Sequence, residues 1–239
     1  MSIWIRIGDF VANVSKKASA SVVELVEAVR TLFAGDPELR RQVAFSVAMI
    51  ALSAKMAKAD GVVTQDEAPA SKQIFPPPPS DAPPAARLYD IAKQDVAGFE
   101  AYAQQMSRLC GSGHPNCAML EDVLDGLFFI AKADGALHER EDQFLHRVAE
   151  IFEISEQHYQ TILARHVDLG QADPYIVLGI PRGSPPDAVK KHYRQLVATN
   201  HPDRLIARGL PQELIAIATA RLAAINVAYE LIEKGLKAA

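Results

Sequence analysis

The tetrapeptide KADG occurs twice in the sequence, and in both copies a glutamate stands seven positions after the aspartate. The two acidic pairs are Asp60 with Glu67 and Asp134 with Glu141. Carboxylate oxygens are the ligands that hard divalent cations such as Ca²⁺ and Mg²⁺ prefer. Two carboxylates per copy fall short of the roughly six to eight oxygens that Ca²⁺ takes, and the spacing is not that of an EF-hand. A divalent-metal site is therefore one interpretation of the repeat.

A pair of helical hairpins is the other interpretation of the repeat. Gly61 and Gly135 follow the two aspartates, and glycine ends helices because it adopts positive φ without a steric cost. Residues 64–67, with the sequence TQDE, form a capping-box pattern that would open a following helix. Acidic residues near a helix start also suit the helix dipole. We favour this structural interpretation and expect no cofactor, with metal binding by the acids as the alternative.

Both cysteines of the chain lie in the stretch CGSGHPNC, together with a histidine. Cys110, His114 and Cys117 are of residue types that bind zinc. Their spacing matches no closed zinc finger and no fourth ligand is evident, so we predict a loop between helices. Two cysteines do not make a disulfide framework, and a reduced cytoplasmic protein is the expectation.

A third group of candidate residues lies around Pro202 and on the helix before it. Pro202 fixes its own φ and disfavours helix for the residue before it, so His201, Pro202 and Asp203 are predicted to form a rigid loop. A basic helix face precedes this loop; taken alone, such a face is usually solvated, and orientation on an acidic partner surface is the less favoured interpretation. The basic residues are Lys190, Lys191, Arg194 and, after the loop, Arg204.

Amphipathic helices are the elements that must position these residues. Apolar residues recur at helical spacing and no convincing strand pattern occurs, so the predicted fold class is all-α. Asp36 and Pro37 are a typical N-cap and first residue for a long first helix. Residues 76–84, PPPPSDAPP, form a stiff extended connector. The predicted helices of the body span 36–59, 85–109, 117–133, 138–152 and 155–166, the last with Ser155 as its cap.

Another helical unit is predicted after residue 172. Following a short first helix, Ser184 is the predicted N-cap of a second helix whose first turn tolerates Pro185 and Pro186. A long third helix is predicted from about Pro211 to Lys234. Two amphipathic helices joined by a loop form an antiparallel hairpin.

The distribution of charge separates an acidic body from a basic C-terminal unit. Residues 173–239 hold nine Lys and Arg against six Asp and Glu, whereas the rest of the chain holds 16 against 23. Such a split suggests two modules with different partners. Since no run of 18 or more apolar residues occurs, no integral membrane segment is predicted. The N-terminus lacks the features of a secretory signal.

Two parts of the chain resemble known domains. The KADG repeat resembles the TerB-like helical domain, which carries such hairpins as an internal duplication and has been proposed to bind metal. The C-terminal unit resembles the J domain of DnaJ co-chaperones in its DPYIVLG opening at 173–179, its basic second helix, its HPD tripeptide and the INVAYE segment at 225–230. This combination and order are similar to the DjlA-like branch. The implied domains are an N-terminal helical segment at 1–35, a TerB-like domain at 36–168 and a J domain at 173–239.

The resemblance implies a co-chaperone. The chain would bind a DnaK-class chaperone and stimulate its ATP hydrolysis, with polar contacts from His201 and Asp203 and with Pro202 holding them. Because the ATP belongs to the partner, no enzyme activity of the chain's own is expected. DjlA is anchored by an N-terminal membrane helix that this sequence lacks, so a soluble cytoplasmic relative is implied. Assembly into a homo-oligomer stays open.

Other classes of function fit the sequence less well. The main alternative is a stress-linked metal-binding TerB-like scaffold in which the J domain is a tether. Binding to nucleic acid is disfavoured because the C-terminal unit has a small excess of positive charge and no aromatic stacking platform. An enzyme is disfavoured because the sequence shows no nucleophile–base pair, phosphate loop or closed metal motif.

Overall fold

The computed structural model describes residues 31, 35–59, 88–90, 92–93, 98–108, 117–132, 137–166, 171–208, 210–211 and 215–238. Within these ranges all regular secondary structure is helical, which confirms the predicted all-α class. Most of the predicted N-terminal segment and the whole Pro-rich connector at 76–84 lie outside the described residues. Numbered along the chain, the helices are α1 Pro37–Ala59, α2 Phe99–Ser107, α3 Ala118–Ala131, α4 Glu139–Ile151, α5 Glu156–His166, α6 Pro174–Leu178, α7 Pro186–Thr199, α8 Pro202–Arg208 and α9 Ile215–Ala238.

Helix α1 begins as the sequence predicts and runs through the centre of the body. The Oδ1 atom of Asp36 accepts hydrogen bonds from the amides of Glu38, at 3.1 Å, and Leu39, at 3.0 Å. These bonds satisfy two of the amides that the first turn of a helix leaves without an intrahelical partner. Pro37 is the first helical residue, where no donor is needed. Every side chain from residue 43 to residue 56 is buried, so α1 is surrounded by other elements.

Helices α2, α3 and α4 pack around α1. The helices approach closely at Gly126 on α3, where an added Cβ would lie 2.7 Å from Met49 Cε on α1 and 3.2 Å from Ile217 Cδ1 on α9. The absent side chain therefore lets three helices meet. The predicted apolar stripe of α3 is fully within this core, and its members are Leu120, Leu124, Leu127 and Phe128.

The helix boundaries in the body agree with the sequence at α5 and differ from it at α2. Ser155 caps α5 through its Oγ, which accepts a hydrogen bond from the amide of His158 at 3.4 Å. The predicted continuous helix over 85–109 is wrong, because Gly98 has an extended conformation with φ −63° and ψ 163° and α2 starts after it. Glycine favours such breaks, since it gives up most backbone freedom when held in a helix.

Helices α6 to α9 form the C-terminal unit, which has a small core of its own. Helices α7 and α9 run antiparallel, because Tyr193 stacks on Tyr229 with ring centroids 4.0 Å apart while Asn200, after α7, contacts Arg221. This arrangement confirms the predicted hairpin. The buried residues of the small core are Val177, Leu178, Val189, Ile225, Ala228 and Ile232.

Two local predictions in the C-terminal unit differ from the structure. Pro185, rather than Ser184, stands at the N-cap of α7, and the Ser184 Oγ donates a hydrogen bond to the carbonyl of Pro181 at 2.6 Å. Serine thus stabilises the preceding turn instead of the helix start. Pro211 lies outside α9, which the structure describes from Ile215 onward.

The C-terminal unit is docked on the body through a shared core. Leu205 of α8, Leu210, and Ile217 and Ala218 of α9 belong to the same buried cluster as the apolar residues of α1 and α3. Helices α6 and α9 also pack on α5. Burial of apolar surface is the main favourable contribution to such a contact, so the position of the C-terminal unit is set by the body.

Helix α9 is, by length and composition alone, a candidate membrane span over Ile215–Leu236. Its buried side faces the two cores through Ile217, Ile225 and Ile232. The buried charge of Arg221 lies on the same helix and is paired with acidic residues of the body. A core helix meets the same criteria of length and hydropathy, and packing accounts for the apolar residues named here.

Candidate functional site

Helix α7 presents the predicted basic face to solvent. Val189 is buried in the small core, whereas Lys190, Lys191 and Arg194 are exposed. Within the described part of the chain, none of these three side chains forms an ion pair. Their charges are therefore available to an acidic surface on a partner. Arg204, on α8, is exposed as well.

The HPD tripeptide joins α7 to α8 and differs from the predicted loop. Pro202 is the first residue of α8 and Asp203 lies in its first turn, so only His201 is outside a helix. The carbonyl oxygen of His201 accepts hydrogen bonds from the amides of Arg204, at 2.9 Å, and Leu205, at 3.1 Å. Proline is favoured at the first helical position, where its fixed φ suits the helix, which explains the difference.

The side chains of His201 and Asp203 are held near each other and point outward. The Nδ1 atom of His201 lies 3.3 Å from the amide nitrogen of Asp203 and 3.5 Å from its Oδ2 atom. Their side chains are 53% and 86% exposed. An imidazole and a carboxylate are thus both free to contact a partner at the start of a short helix.

The backbone beneath the tripeptide is anchored on both sides. Leu205 is buried in the body core one helical turn after His201. Asn200, immediately before His201, is buried and donates through Nδ2 to the carbonyl of Leu196 at 2.9 Å. Its Oδ1 atom accepts a hydrogen bond from Arg221 Nη1 at 3.2 Å. The exposed tripeptide is therefore flanked by two buried residues, Asn200 and Leu205.

Arg221 belongs to a buried ion cluster that connects the two parts of the molecule. Its Nη1 lies 2.7 Å from Asp122 Oδ1, and its Nη2 lies 2.9 Å from Asp125 Oδ2. Its Nε also donates to Asp125 Oδ2 at 2.9 Å. The two aspartates belong to α3 of the body and the arginine to α9. A guanidinium that meets carboxylates in this way has a defined orientation.

The charges of this cluster stabilise one another. Burial alone would lower the pKa of Arg221, but Asp125 and Asp122 raise it above its usual range. Burial alone would raise the pKa of Asp125, but Arg221, assisted by His166 and Arg165, holds it well below its usual range. Both groups therefore stay ionised in the folded protein at neutral pH.

Sequence reasoning missed this cluster because its members are far apart along the chain. Asp122 and Arg221 are separated by 99 positions, and Asp125 and Arg221 by 96. The available signal was two aspartates within an otherwise apolar helix, where an unpaired charge is costly. That signal indicates a buried partner but does not identify it.

A polar cavity of about 260 Å³ adjoins the cluster, between the body and the C-terminal unit. Its lining includes Thr161, Arg165, His192, Asn200 and Arg221. Burial lowers the pKa of Arg165 to about 10. The Arg165 Nε is buried without a hydrogen-bond partner in the described part of the protein. Water can occupy a polar space of this size and satisfy such a donor.

Most of the proposed metal ligands lie outside the described residues, namely Asp60, Glu67 and Asp134. Glu141 is described, and its Oε2 accepts a hydrogen bond from the amide of His138 at 3.0 Å, at the start of α4. No group of three or more metal-binding side chains occurs among the residues with assigned positions. Glu141 thus has the capping role of the structural interpretation, and metal binding stays a prediction.

The cysteine stretch differs from its prediction at the one cysteine that the structure describes. Cys117 is disulfide-bonded, so the expected reduced thiol at this position is wrong. A sulfur in a disulfide is not a thiolate, which is the form that binds zinc.

Comparison with known proteins relates the chain to named families. Residues 46–164 match the family described as tellurite resistance protein TerB. The chain is 31% identical over 232 residues to the co-chaperone protein DjlA of Photobacterium profundum, covering 82% of this chain and 80% of that protein. It is 30% identical over 199 residues to DjlA of Coxiella burnetii, covering 75% and 73%. Identity to DjlA of Vibrio cholerae is 27% over 241 residues, covering 87% and 84%. No solved structure matches the chain.

Proposed function

Because the chain belongs to the DjlA family of co-chaperones, we propose that it binds a DnaK-class chaperone and stimulates that partner's ATP hydrolysis. The observation that carries the proposal is the exposed His201 and Asp203 pair at the start of α8, directly after the basic helix α7. Val189 of α7 and Leu205 of α8 are buried in the cores. The C-terminal unit thus exposes both basic charge and directed polar groups.

Each part of this surface has a separate physical role. The exposed cations Lys190, Lys191 and Arg194 attract an acidic surface and orient the encounter, a contribution that salt weakens. His201 and Asp203 then offer hydrogen-bonding groups whose backbone is already ordered, which reduces the entropy lost on binding. The chain supplies contacts, while the nucleotide and the residues that hydrolyse it belong to the partner.

The direct test is the steady-state ATPase rate of a DnaK-class chaperone with the full chain added. We expect stimulation that is abolished by His201→Gln and by Asp203→Asn. Lys190→Glu should instead raise the concentration needed for half-maximal stimulation. Arg182→Ala is the matched control, because this arginine is exposed and its carboxylate partner, Asp173, lies away from the tripeptide in sequence. Undiminished stimulation by both tripeptide variants, with circular dichroism like that of the wild type, would refute the proposal.

Two further expectations accompany this function. We also expect the chain to act in the cytoplasm, supported by the core position of α9, and fractionation of cells expressing the full chain tests this location. Divalent-metal binding by the acids of the KADG repeat is tested by calorimetric titration with Ca²⁺, Mg²⁺ and Zn²⁺. A signal lost in Asp134→Ala would support a metal site, whereas an unchanged signal would exclude Asp134 as a ligand.

A further inference from the structure

We propose that Arg221 is a positioning residue that connects the body to the HPD tripeptide, so that α3 sets the orientation of His201 and Asp203. The proposal rests on the proposed function for its biochemical consequence, because it explains how the stimulating surface is held. Arg221 touches no partner itself, since its side chain is 4% exposed. Its effect must therefore pass through Asn200.

The contacts form an unbroken chain from the body to the tripeptide. Asp122 and Asp125 fix the guanidinium from α3 at 2.7 Å and 2.9 Å. The same guanidinium donates to Asn200 Oδ1 at 3.2 Å. Asn200 is bonded to His201 through the backbone, so a displacement of Asn200 displaces the histidine.

The planar geometry of arginine makes this connection specific. The guanidinium has five N–H donors in a fixed fork, and the contacts of Nε, Nη1 and Nη2 with the two carboxylates determine where the other two donors point. In Arg221 the second donor of Nη1 points to Asn200. A lysine at this position would offer a single ammonium and could not reproduce the three directions together.

The tripeptide depends on this support because its exposed side chains have few other contacts. Helix α8 is seven residues long and is anchored below by Leu205. At its start, the polar contacts of His201 and Asp203 with other described residues are with each other and with α8 backbone amides. The buried amide of Asn200 is thus the anchor on the N-terminal side, as Leu205 is on the C-terminal side.

The experiment uses the full chain and three variants. Asn200→Ala removes the hydrogen bond between Arg221 and the Asn200 side chain and leaves the ion pairs of Arg221 in place. Arg221→Met removes the guanidinium while filling a similar volume. A third variant combines Arg221→Met with Asp122→Asn and Asp125→Asn, so that no buried carboxylate remains unpaired. Thr219→Ala is the control, because this exposed threonine of α9 bonds only within its own helix.

The ATPase assay should separate positioning from binding. The basic face of α7 is unchanged in all three variants, so the concentration for half-maximal stimulation should stay within about twofold of the wild type. The maximal stimulation should fall at least about tenfold in Asn200→Ala, since hydrogen bonds to charged groups bias local equilibria by about that factor or more. The triple variant should show the same loss even when its thermal stability equals that of the wild type.

Hydrogen exchange provides a readout that needs no partner. The amides of Arg204 and Leu205 donate to the His201 carbonyl and report whether the start of α8 is ordered. Their exchange should accelerate at least about tenfold in Asn200→Ala and in the triple variant. Amides in the middle of α5, such as that of Ile162, should keep the exchange rate of the wild type.

The outcomes distinguish this inference from the function on which it rests. If the wild type stimulates, His201→Gln abolishes stimulation and Asn200→Ala behaves as the wild type, the positioning role is refuted and the function stands. If the wild type gives no stimulation, the proposed function fails and exchange at Arg204 and Leu205 decides the positioning role alone. Unchanged exchange at these amides in both Asn200→Ala and the triple variant overturns the inference in either case.

Discussion

Asp125→Asn should destabilise the protein by an amount that depends on pH. Asp125 is fully buried, and its carboxylate contacts Arg221 at 2.9 Å and His166 Nε2 at 3.2 Å. Removing one member of a buried ion pair costs about 3–5 kcal/mol. We expect a loss near the lower end, about 3 kcal/mol, because Asp122 still neutralises Arg221 and the new amide oxygen still accepts one hydrogen bond.

The pH dependence follows from the depressed pKa of Asp125 in the folded state. A carboxyl group in the unfolded chain takes up its proton near pH 3.9, whereas Asp125 in the native protein does so only at lower pH. The stabilisation by this group is therefore complete from pH 8 to about pH 5 and is lost as the pH falls below about 4. The asparagine variant has no such group, so the difference between the two proteins should narrow in that acidic range.

Urea denaturation followed by circular dichroism at pH 7.5, 5 and 3.5 measures this difference. With a denaturant dependence of about 3 kcal/mol per molar urea, the midpoint at pH 7.5 should fall by about 1 M. Asp187→Asn is the control, because this exposed aspartate in the first turn of α7 contributes at most about 1 kcal/mol through the helix dipole. A midpoint change at pH 7.5 no larger than that of the control would refute the reasoning, as would a difference that is equally large at pH 3.5.

Substitutions at three further positions test other contacts. Gly126→Val should lower the free energy of unfolding by about 1–3 kcal/mol, because its methyl groups would enter the space between α1 and α9; an unchanged urea midpoint would contradict this. Tyr159→Phe should cost about 1–2 kcal/mol, since the hydroxyl donates to Asp142 Oδ1 at 2.8 Å. In the wild type, ultraviolet titration should show no ionisation of Tyr159 near pH 10, because burial and then Asp142 raise its pKa above the usual range. Ionisation of all tyrosines near pH 10 would contradict the raised pKa of Tyr159. Glu141→Ala should cost about 1 kcal/mol while Glu141→Gln keeps the cap, and equal melting temperatures for the two would argue against the capping role.

The sequence predicts those features that depend on neighbouring residues. The N-cap at Asp36 and the exposed basic face of α7 follow from capping preferences and helical periodicity, and both are local. The helical start of α8 could also have been predicted. The rule that proline disfavours helix in the preceding residue holds for His201, but proline itself is favoured at the first helical position.

The support of the tripeptide could not be predicted because it depends on contacts between distant parts of the chain. Nothing in the local sequence around Arg221 distinguishes it from an exposed arginine on an amphipathic helix. Its role follows from the position of α3, whose Asp122 and Asp125 need a cation once their helix is buried. Likewise, the docking of Leu205 on the body is invisible in a sequence where it is simply one apolar residue of a short helix.

The shared core has a consequence for the order in which the protein acquires its activity during synthesis. Helix α9 leaves the ribosome after every other described helix, yet it supplies Ile217 and Ala218 to the core of the first helices and Arg221 to the aspartates of α3. Until then the nascent body has an incomplete core and two carboxylates without their cation. Domains fold as units during translation, and the core of this protein is complete only after α9 has been synthesised. A ribosome-bound chain that lacks α9 therefore lacks both the Arg221 contact to Asn200 and the core residues Ile217 and Ala218.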